Sequence, residues 1–220
     1  MTYGGTTYSV TTIGKDAFWG SSSLTSVAIP NSVTTIGMRA FTNCQNLANI
    51  TIPNSVIRIG ASAFDYTEWY RNQPSGMIYT GSVAYTYKGT IPQGTTISIK
   101  DGTLGIAESC FSYQSQLVGI TIPNSVVLID DAFYECTGLK RVNISGLTAW
   151  CNIDFVNEKA NPLKRAHHLF LNGNEITDLV LPDSVTAISD YAFSGCEGLT
   201  SVTIPNSVSS IGNSAFSGCI

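Results

Sequence analysis

Cys151 and Asp154, followed by the adjacent pair His167-His168, come nearest to a catalytic set in this 220-residue chain. A thiol nucleophile needs an imidazole within hydrogen-bonding reach to take its proton, and a third group to orient that imidazole. The residue types are present, but nothing in their spacing requires the contact. The simpler reading packs one histidine inward ahead of Leu169 and leaves the other in solvent. Asp130, Asp131 and Glu135 form a carboxylate cluster that lacks the Asp-x-Asp-x-Asp-Gly spacing of a calcium loop, so it reads as exposed charge. The six cysteines include no Cys-x-x-Cys pair, the usual start of a zinc site. No catalytic residue, metal or cofactor is expected, and the chain reads as a non-enzyme.

The elements that would position these residues come from a repeat. Leu24 to Phe41 reads LTSVAIPNSVTTIGMRAF, and the pattern returns at Leu47–Phe64 as LANITIPNSVIRIGASAF and at Leu199–Phe216 as LTSVTIPNSVSSIGNSAF. A fixed period of 23 residues marks a leucine-rich-repeat solenoid. Val27 and Ile29 alternate as a short strand, with Ser26 and Ala28 on its other face. Pro30 ends that strand, because proline cannot donate to a ladder. Val33, Ile36, Ala40 and Phe41 are the apolar contacts of the return path. Gly37 permits a bend there, and a helical turn is expected around Ala40-Phe41. One lap buries too little apolar surface to offset the entropy of ordering its backbone, so laps must stack to fold. The expected architecture is a mostly-β horseshoe of the α/β type. It has a parallel sheet on one face, loops and short helical turns on the other, and two inserted hairpins.

The strand-ending residues Ile29, Ile52, Ile99, Ile122, Ile144, Leu181 and Ile204 advance by 23, 47, 23, 22, 37 and 23. The long steps locate two irregular stretches, near 65–94 and 145–175. The first suggests a protruding hairpin, Met77 to Tyr79 against Val83 to Lys88. The second suggests another, Leu169 to Leu171 against Ile176 to Leu181 around the turn pair Asn172-Gly173. Trp69 and Trp150 read as core filling where the repeat breaks. Tyr85 and Tyr87 share a face of a hairpin strand and read as an exposed pair. On the outward strand rows, mostly Ser and Thr, the distinctive residues are Arg141, Asn143 and Asp178. These five form the candidate partner-binding set.

Cys44, Cys136, Cys196 and Cys219 each follow the phenylalanine of their lap by three places, a slot filled elsewhere by Ser21 and Gln114. That periodicity predicts reduced thiols buried as small apolar groups. Charged residues make up 12% of the chain and net charge is −4, which argues against a nucleic-acid binder. No run approaches the roughly 18 apolar residues of a membrane span. MTYGGTTYSVTTIG lacks the basic and apolar regions of a signal peptide, and its Ser9-Val10-Thr11-Thr12-Ile13-Gly14 already fits the repeat. The chain opens and stops within a lap, so it reads as one solenoid domain, 1–220, cut from a longer polypeptide. Bare lap ends would favour end-to-end self-association.

IPNSVTTIGMRAF, together with TEWYRNQPSGMIYTGSVAYTYKGT and TAWCNIDFVNEKANPLKRAHHLFLNGNEITDLVLP, resembles the BspA-like leucine-rich-repeat proteins, best known from bacterial surfaces. The resemblance spans nearly the whole chain, both irregular stretches included. Ser32 stands where the commoner leucine-rich repeat has asparagine. The resemblance implies a surface-exposed or secreted adhesion module that contacts host matrix, plasma or other proteins, with no nucleic acid and no membrane insertion. The alternatives are a spacer that holds another domain away from the cell and, more remotely, a hydrolase using Cys151 and His167.

Overall fold

The computed structural model describes residues 9–219 and the strand backbone at 2–3 and 6–7. Each lap contributes two short strands, and these stack into two parallel ladders. The first ladder contains the Leu-x-x-Val-x-Ile strands. Ser26–Ala28 pairs with Asn49–Thr51, Thr95–Ser98 leads through Leu117–Ile122 and Arg141–Ile144 to Leu169–Leu171, and Asp178–Val180 pairs with Ser201–Thr203. The second ladder stands on the Val-x-x-Ile-Gly segments, where loops and short helical turns are expected from the sequence. Thr12–Ile13, Thr35–Ile36 and Arg58–Ile59 pair in parallel. So do Val83–Lys88, Gly105–Ile106, Leu128–Ile129 and Asp154–Phe155, and then Ala187–Ile188 with Ser210–Ile211. Register follows the repeat: Ile13 faces Ile36, and Ile36 faces Ile59.

The core is the set of repeat rows. Val33, Ile36, Ala40 and Phe41 are fully buried, as are their counterparts Val56, Ile59, Ala63 and Phe64. The phenylalanine rings stack from lap to lap: Phe18 on Phe41 at 5.0 Å, Phe41 on Phe64 at 5.6 Å, Phe111 on Phe133 at 5.4 Å and Phe193 on Phe216 at 5.1 Å. The stack breaks at the irregular stretches. There Tyr85 and Trp69 meet Phe64 edge-on, and Trp150 meets Phe155 edge-on. Trp150 is buried, with its indole N–H donating to the Ala192 carbonyl at 2.8 Å, while Trp69 is half-buried.

The arc around each phenylalanine is not a helical turn. Two of its residues take left-handed backbone, except around Phe133, where only Glu135 does. The first precedes the Ala-Phe pair, as at Asp16 (φ 59), Arg39 (φ 56) and Ser62 (φ 57). The second lies two places after the phenylalanine, as at Gly20 (φ 71), Asn43 (φ 62), Tyr66 (φ 62) and Gly195 (φ 79). Alternating handedness turns every second N–H toward the next lap. Thus Arg39, Phe41 and Asn43 donate to the carbonyls of Ala61, Ala63 and Asp65 at 2.8–3.0 Å. Backbone donors that a helix would satisfy internally are spent on stacking instead.

Gly37 serves a purpose other than bending. A Cβ there would lie 2.6 Å from the Lys15 nitrogen, and at Gly60 2.4 Å from the Met38 nitrogen. The repeat glycine lets adjacent laps touch backbone to backbone.

Both hairpins exist, but the first does not protrude. Gly76–Thr80 pairs antiparallel with Val83–Lys88 through a two-residue turn, and Val83–Lys88 then joins the second ladder beside Gly105–Ile106. It takes the place of a lap strand, so Val83, Ala84 and Tyr85 are buried. The second hairpin turns at Asn172 (φ 51) and Gly173 (φ 85), and its return arm is only Asn174–Glu175. The chain then starts a fresh strand, Asp178–Val180, which pairs onward with Ser201–Thr203.

Candidate interaction surface

Cys151 and the histidines do not assemble into a catalytic set. Cys151 is fully buried, and burial pushes its thiol up to about 12. Each imidazole faces a glutamate instead: His167 Nδ1 lies 3.0 Å from Glu197, and His168 Nδ1 lies 2.6 Å from Glu175. Neither histidine packs inward, which corrects the sequence reading. The His168 contact lies at the base of the second hairpin, and His167 faces the lap that follows it.

The acidic cluster is likewise divided. Asp130 is buried rather than exposed, and it accepts from Arg58 Nε at 2.8 Å across 72 residues of sequence. Glu135 faces Arg165 at 3.6 Å. No group of three or more potential metal ligands converges among the described residues.

All six cysteines are free, including the four that the repeat slot predicted. They do more than fill space. Cys44 donates its thiol to the Phe18 carbonyl, Cys136 to Phe111 and Cys219 to Phe193, each at 3.0 Å. Every one of these acceptors lies in the preceding lap. Gln114, in the same slot, uses its amide to accept from the Ile91 N–H and donate to the Gly89 carbonyl.

The five residues of the candidate binding set do not converge. Tyr85 is withdrawn from it: the ring is 2% exposed, its hydroxyl accepts from the Phe64 N–H at 3.1 Å, and burial holds it protonated. The shared face expected for Tyr85 and Tyr87 is not kept: the ladder bulges at Tyr85, so Tyr85 packs in the first core cluster and Tyr87 against the second, and both faces of the strand meet protein. Tyr87 is half-buried against the core. Arg141 is exposed on the first ladder, its guanidinium 5.9 Å from the Phe170 ring, and half-exposed Asn143 stands opposite Phe170 in the register. Asp178 is exposed but belongs to a separate sheet, where it accepts from Ser201 Oγ at 2.7 Å and Thr200 Oγ1 at 3.2 Å.

The sequence reading missed a more coherent surface on the edge just after the phenylalanines. Three clefts open there, each beside an exposed aromatic ring. Trp19, 57% exposed, lines a cleft of about 500 Å³ with Asp16 and Arg39. Tyr66, 64% exposed, borders one of about 410 Å³ with Tyr70, Arg71 and Lys88. Tyr134 borders one of about 230 Å³ with Lys159, Lys164 and Arg165, and its ring meets that of Tyr113, 72% exposed, edge-on at 5.4 Å. The charges are largely occupied. Asp16 and Arg39 form a two-pronged pair at 2.8 and 2.9 Å, which lowers the Asp16 carboxyl. Lys164 holds Glu158 at 2.8 Å, and Lys88 donates to the carbonyls of Tyr70, Arg71 and Gln73. A visible clue existed: Tyr66 and Tyr113 occupy the slot that holds Gly20, Asn43, Gly195 and Gly218 in other laps.

Stacked parallel strands, aligned Ile and Phe rows and few helices define a leucine-rich-repeat solenoid. Residues 11–72, 87–160 and 165–220 match the BspA type leucine rich repeat region in six copies, and the chain belongs to that family. The unmatched residues 73–86 fall largely on the first hairpin. Among curated proteins no sequence matches. Similar solved structures include a leucine-rich-repeat protein of T. pallidum, 25% identical, covering 96% of this chain and 70% of that one, with a TM-score of 0.32. A leucine-rich-repeat protein from Bacteroides ovatus is 21% identical, covering 100% and 70%, with a TM-score of 0.36. A leucine-rich cell surface protein from Faecalibacterium prausnitzii is 25% identical, covering 98% and 64%, with a TM-score of 0.37. The repeat family supports a protein-interaction or structural role. No helix among the described residues is long and apolar enough to cross a membrane.

Proposed function

We propose that this solenoid is a non-enzymatic protein-binding module of a surface-exposed or secreted bacterial protein. The observation that carries this reading is the break in the first ladder at the second hairpin. Elsewhere the outward row is mostly small and polar, as at Ser26, Thr121 and Ser201, with Asp178 and Val180 the exceptions. Here it presents Arg141 over Phe170, with Asn143 alongside and an asparagine-glycine turn at the rim. Arginine and aromatic side chains are the types that dominate binding energy in protein interfaces. The uniform rows would supply registration while this break supplies specificity. Extracellular matrix and plasma proteins are the partners proposed for it. The direct test is surface plasmon resonance of the chain against purified matrix and plasma proteins. The reading expects a complex weakened about tenfold or more by Arg141→Ala with Phe170→Ala. Binding that ignores this pair would remove the site, and no binding to any such protein would remove the adhesion reading.

The second reading is a spacer that holds another domain outward, favoured by how few large side chains the Ser- and Thr-rich rows offer a partner. A flanking folded domain in the native gene, together with no binding by the solenoid, would support it.

A further inference from the structure

We propose that the edge following the phenylalanines binds a neutral, linear polysaccharide. The surface lies on a different part of the lap from Arg141 and Phe170, so the inference stands apart from the protein-binding reading. Three observations converge on it.

The first is conformational. Tyr66 (φ 62) and Tyr113 (φ 63) hold left-handed backbone, a region that disfavours any residue with a Cβ and above all a bulky one. Neither ring is buried in compensation. Tyr191 (φ 63) shows the contrast: it sits in the other left-handed slot, and its ring packs against the core. Exposed tyrosines held where glycine fits better are retained for something other than stability.

The second is spacing. Tyr66 and Tyr113 share one slot and Trp19 stands one place earlier in its own lap; the three follow one another every two laps, roughly 10 Å at the usual strand separation. A row of flat rings at regular intervals suits a chain of flat, repeating units. The C–H face of a pyranose lies against an aromatic ring, and its hydroxyls reach the polar groups beside it.

The third is charge. Beside Trp19 and Tyr134 most flanking charges are paired within the chain, Asp16 with Arg39, Glu158 with Lys164 and Glu135 with Arg165, and beside Tyr66 the cations Arg71 and Lys88 are held by backbone carbonyls. Paired ions still exchange hydrogen bonds with hydroxyls but do not call for a charged ligand. Tyr113 and Tyr134 touch, but the lap between Trp19 and Tyr66 presents Asn43, so the rings do not merge into one contiguous apolar patch of the kind that marks a protein interface.

Trp19 supplies the probe, since Trp150 is buried and Trp69 half-buried. The experiment measures acrylamide quenching of tryptophan emission with millimolar cellohexaose, xylohexaose, chitohexaose and maltohexaose, and with a heparin hexasaccharide as the anionic control. At least one neutral hexaose should shield Trp19, and the Tyr66→Gly/Tyr113→Gly variant should bind it about tenfold more weakly while melting at a higher temperature than the parent. The higher melting temperature separates loss of the site from loss of the fold. Three results would overturn the proposal: no neutral hexaose shields Trp19, only heparin does, or binding survives in the double variant. So would a protein ligand lost in the same double variant while every neutral hexaose is ignored.

Discussion

At the scale of single residues, the repeat slots are filled for physical reasons that the exceptions expose. The left-handed slot two places after the phenylalanine takes Gly or Asn in four laps, Glu135 in one and Tyr in two, where a bulky side chain costs stability. Replacing Tyr66 with glycine should raise stability by about 1 kcal/mol, measured by urea unfolding at unchanged m-value. The thiols make a second residue-scale prediction. An unfolded cysteine ionises near 9.0, whereas Cys151 and Cys196 stay protonated to about 12 because burial disfavours the thiolate. Between those values the unfolded chain holds fewer protons than the folded one. The thiols therefore leave stability intact below pH 9 and erode it as pH rises toward 12. Melting temperature followed from pH 7 to pH 11 should fall along the alkaline limb, and Cys151→Ala should flatten that limb while lowering stability at pH 7 through the cavity it leaves.

At the scale of the element, the lap is held by contact between backbones as much as between side chains. Gly60 donates to the Ile36 carbonyl at 2.8 Å, and a Cβ at Gly60 would lie 2.4 Å from the Met38 nitrogen. Gly60→Ala must push two laps apart and should cost about 3 kcal/mol or more. Gly14→Ala meets nothing within 4 Å and should be nearly neutral, which makes the pair an internal control for thermal denaturation. The short helix Glu68–Arg71 shows how an irregular stretch is fastened. Thr67 accepts from the Tyr70 N–H at its start, and Lys88 caps carbonyls at its end. Thr67→Ala should cost about 1 kcal/mol, read from the same denaturation curves.

At the scale of the whole molecule, the hydrophobic core is not continuous. One cluster runs from Ile29 to Ala107 and the other from Ala84 to Ala215, and they divide at the strand Val83–Lys88. Val83 and Tyr85 belong to the first cluster and Ala84 to the second, because successive side chains of a strand point to opposite faces. Arg58 bound to Asp130 and Glu108 accepting from the Ala61 N–H tie the halves with polar contacts. Solenoid stability is a sum of neighbour terms, so a weak seam allows the halves to unfold separately. Phe41→Ala should cost about 3–5 kcal/mol in the first half alone. Hydrogen exchange should quicken across 26–64 while 117–144 keeps its protection.

The 23-residue period determined the architecture, the buried rows and the reduced state of the thiols, because stacking laps impose the same environment on the same slot each time. Val33, Ile36, Ala40 and Phe41 were legible as core for that reason, and both hairpins were legible from their turn residues. The tertiary structure decided what periodicity cannot carry. Whether Tyr85 faces solvent depends on whether its hairpin leaves the stack or joins it. Whether Asp130 is exposed depends on Arg58, brought across from a distant lap. The aromatic edge at Trp19, Tyr66, Tyr113 and Tyr134 exists only once the laps stack, with left-handed backbone at Tyr66 and Tyr113, and set these rings along one side. Local pattern sets which residues are apolar partners, but only the packed chain sets which polar and aromatic groups have none.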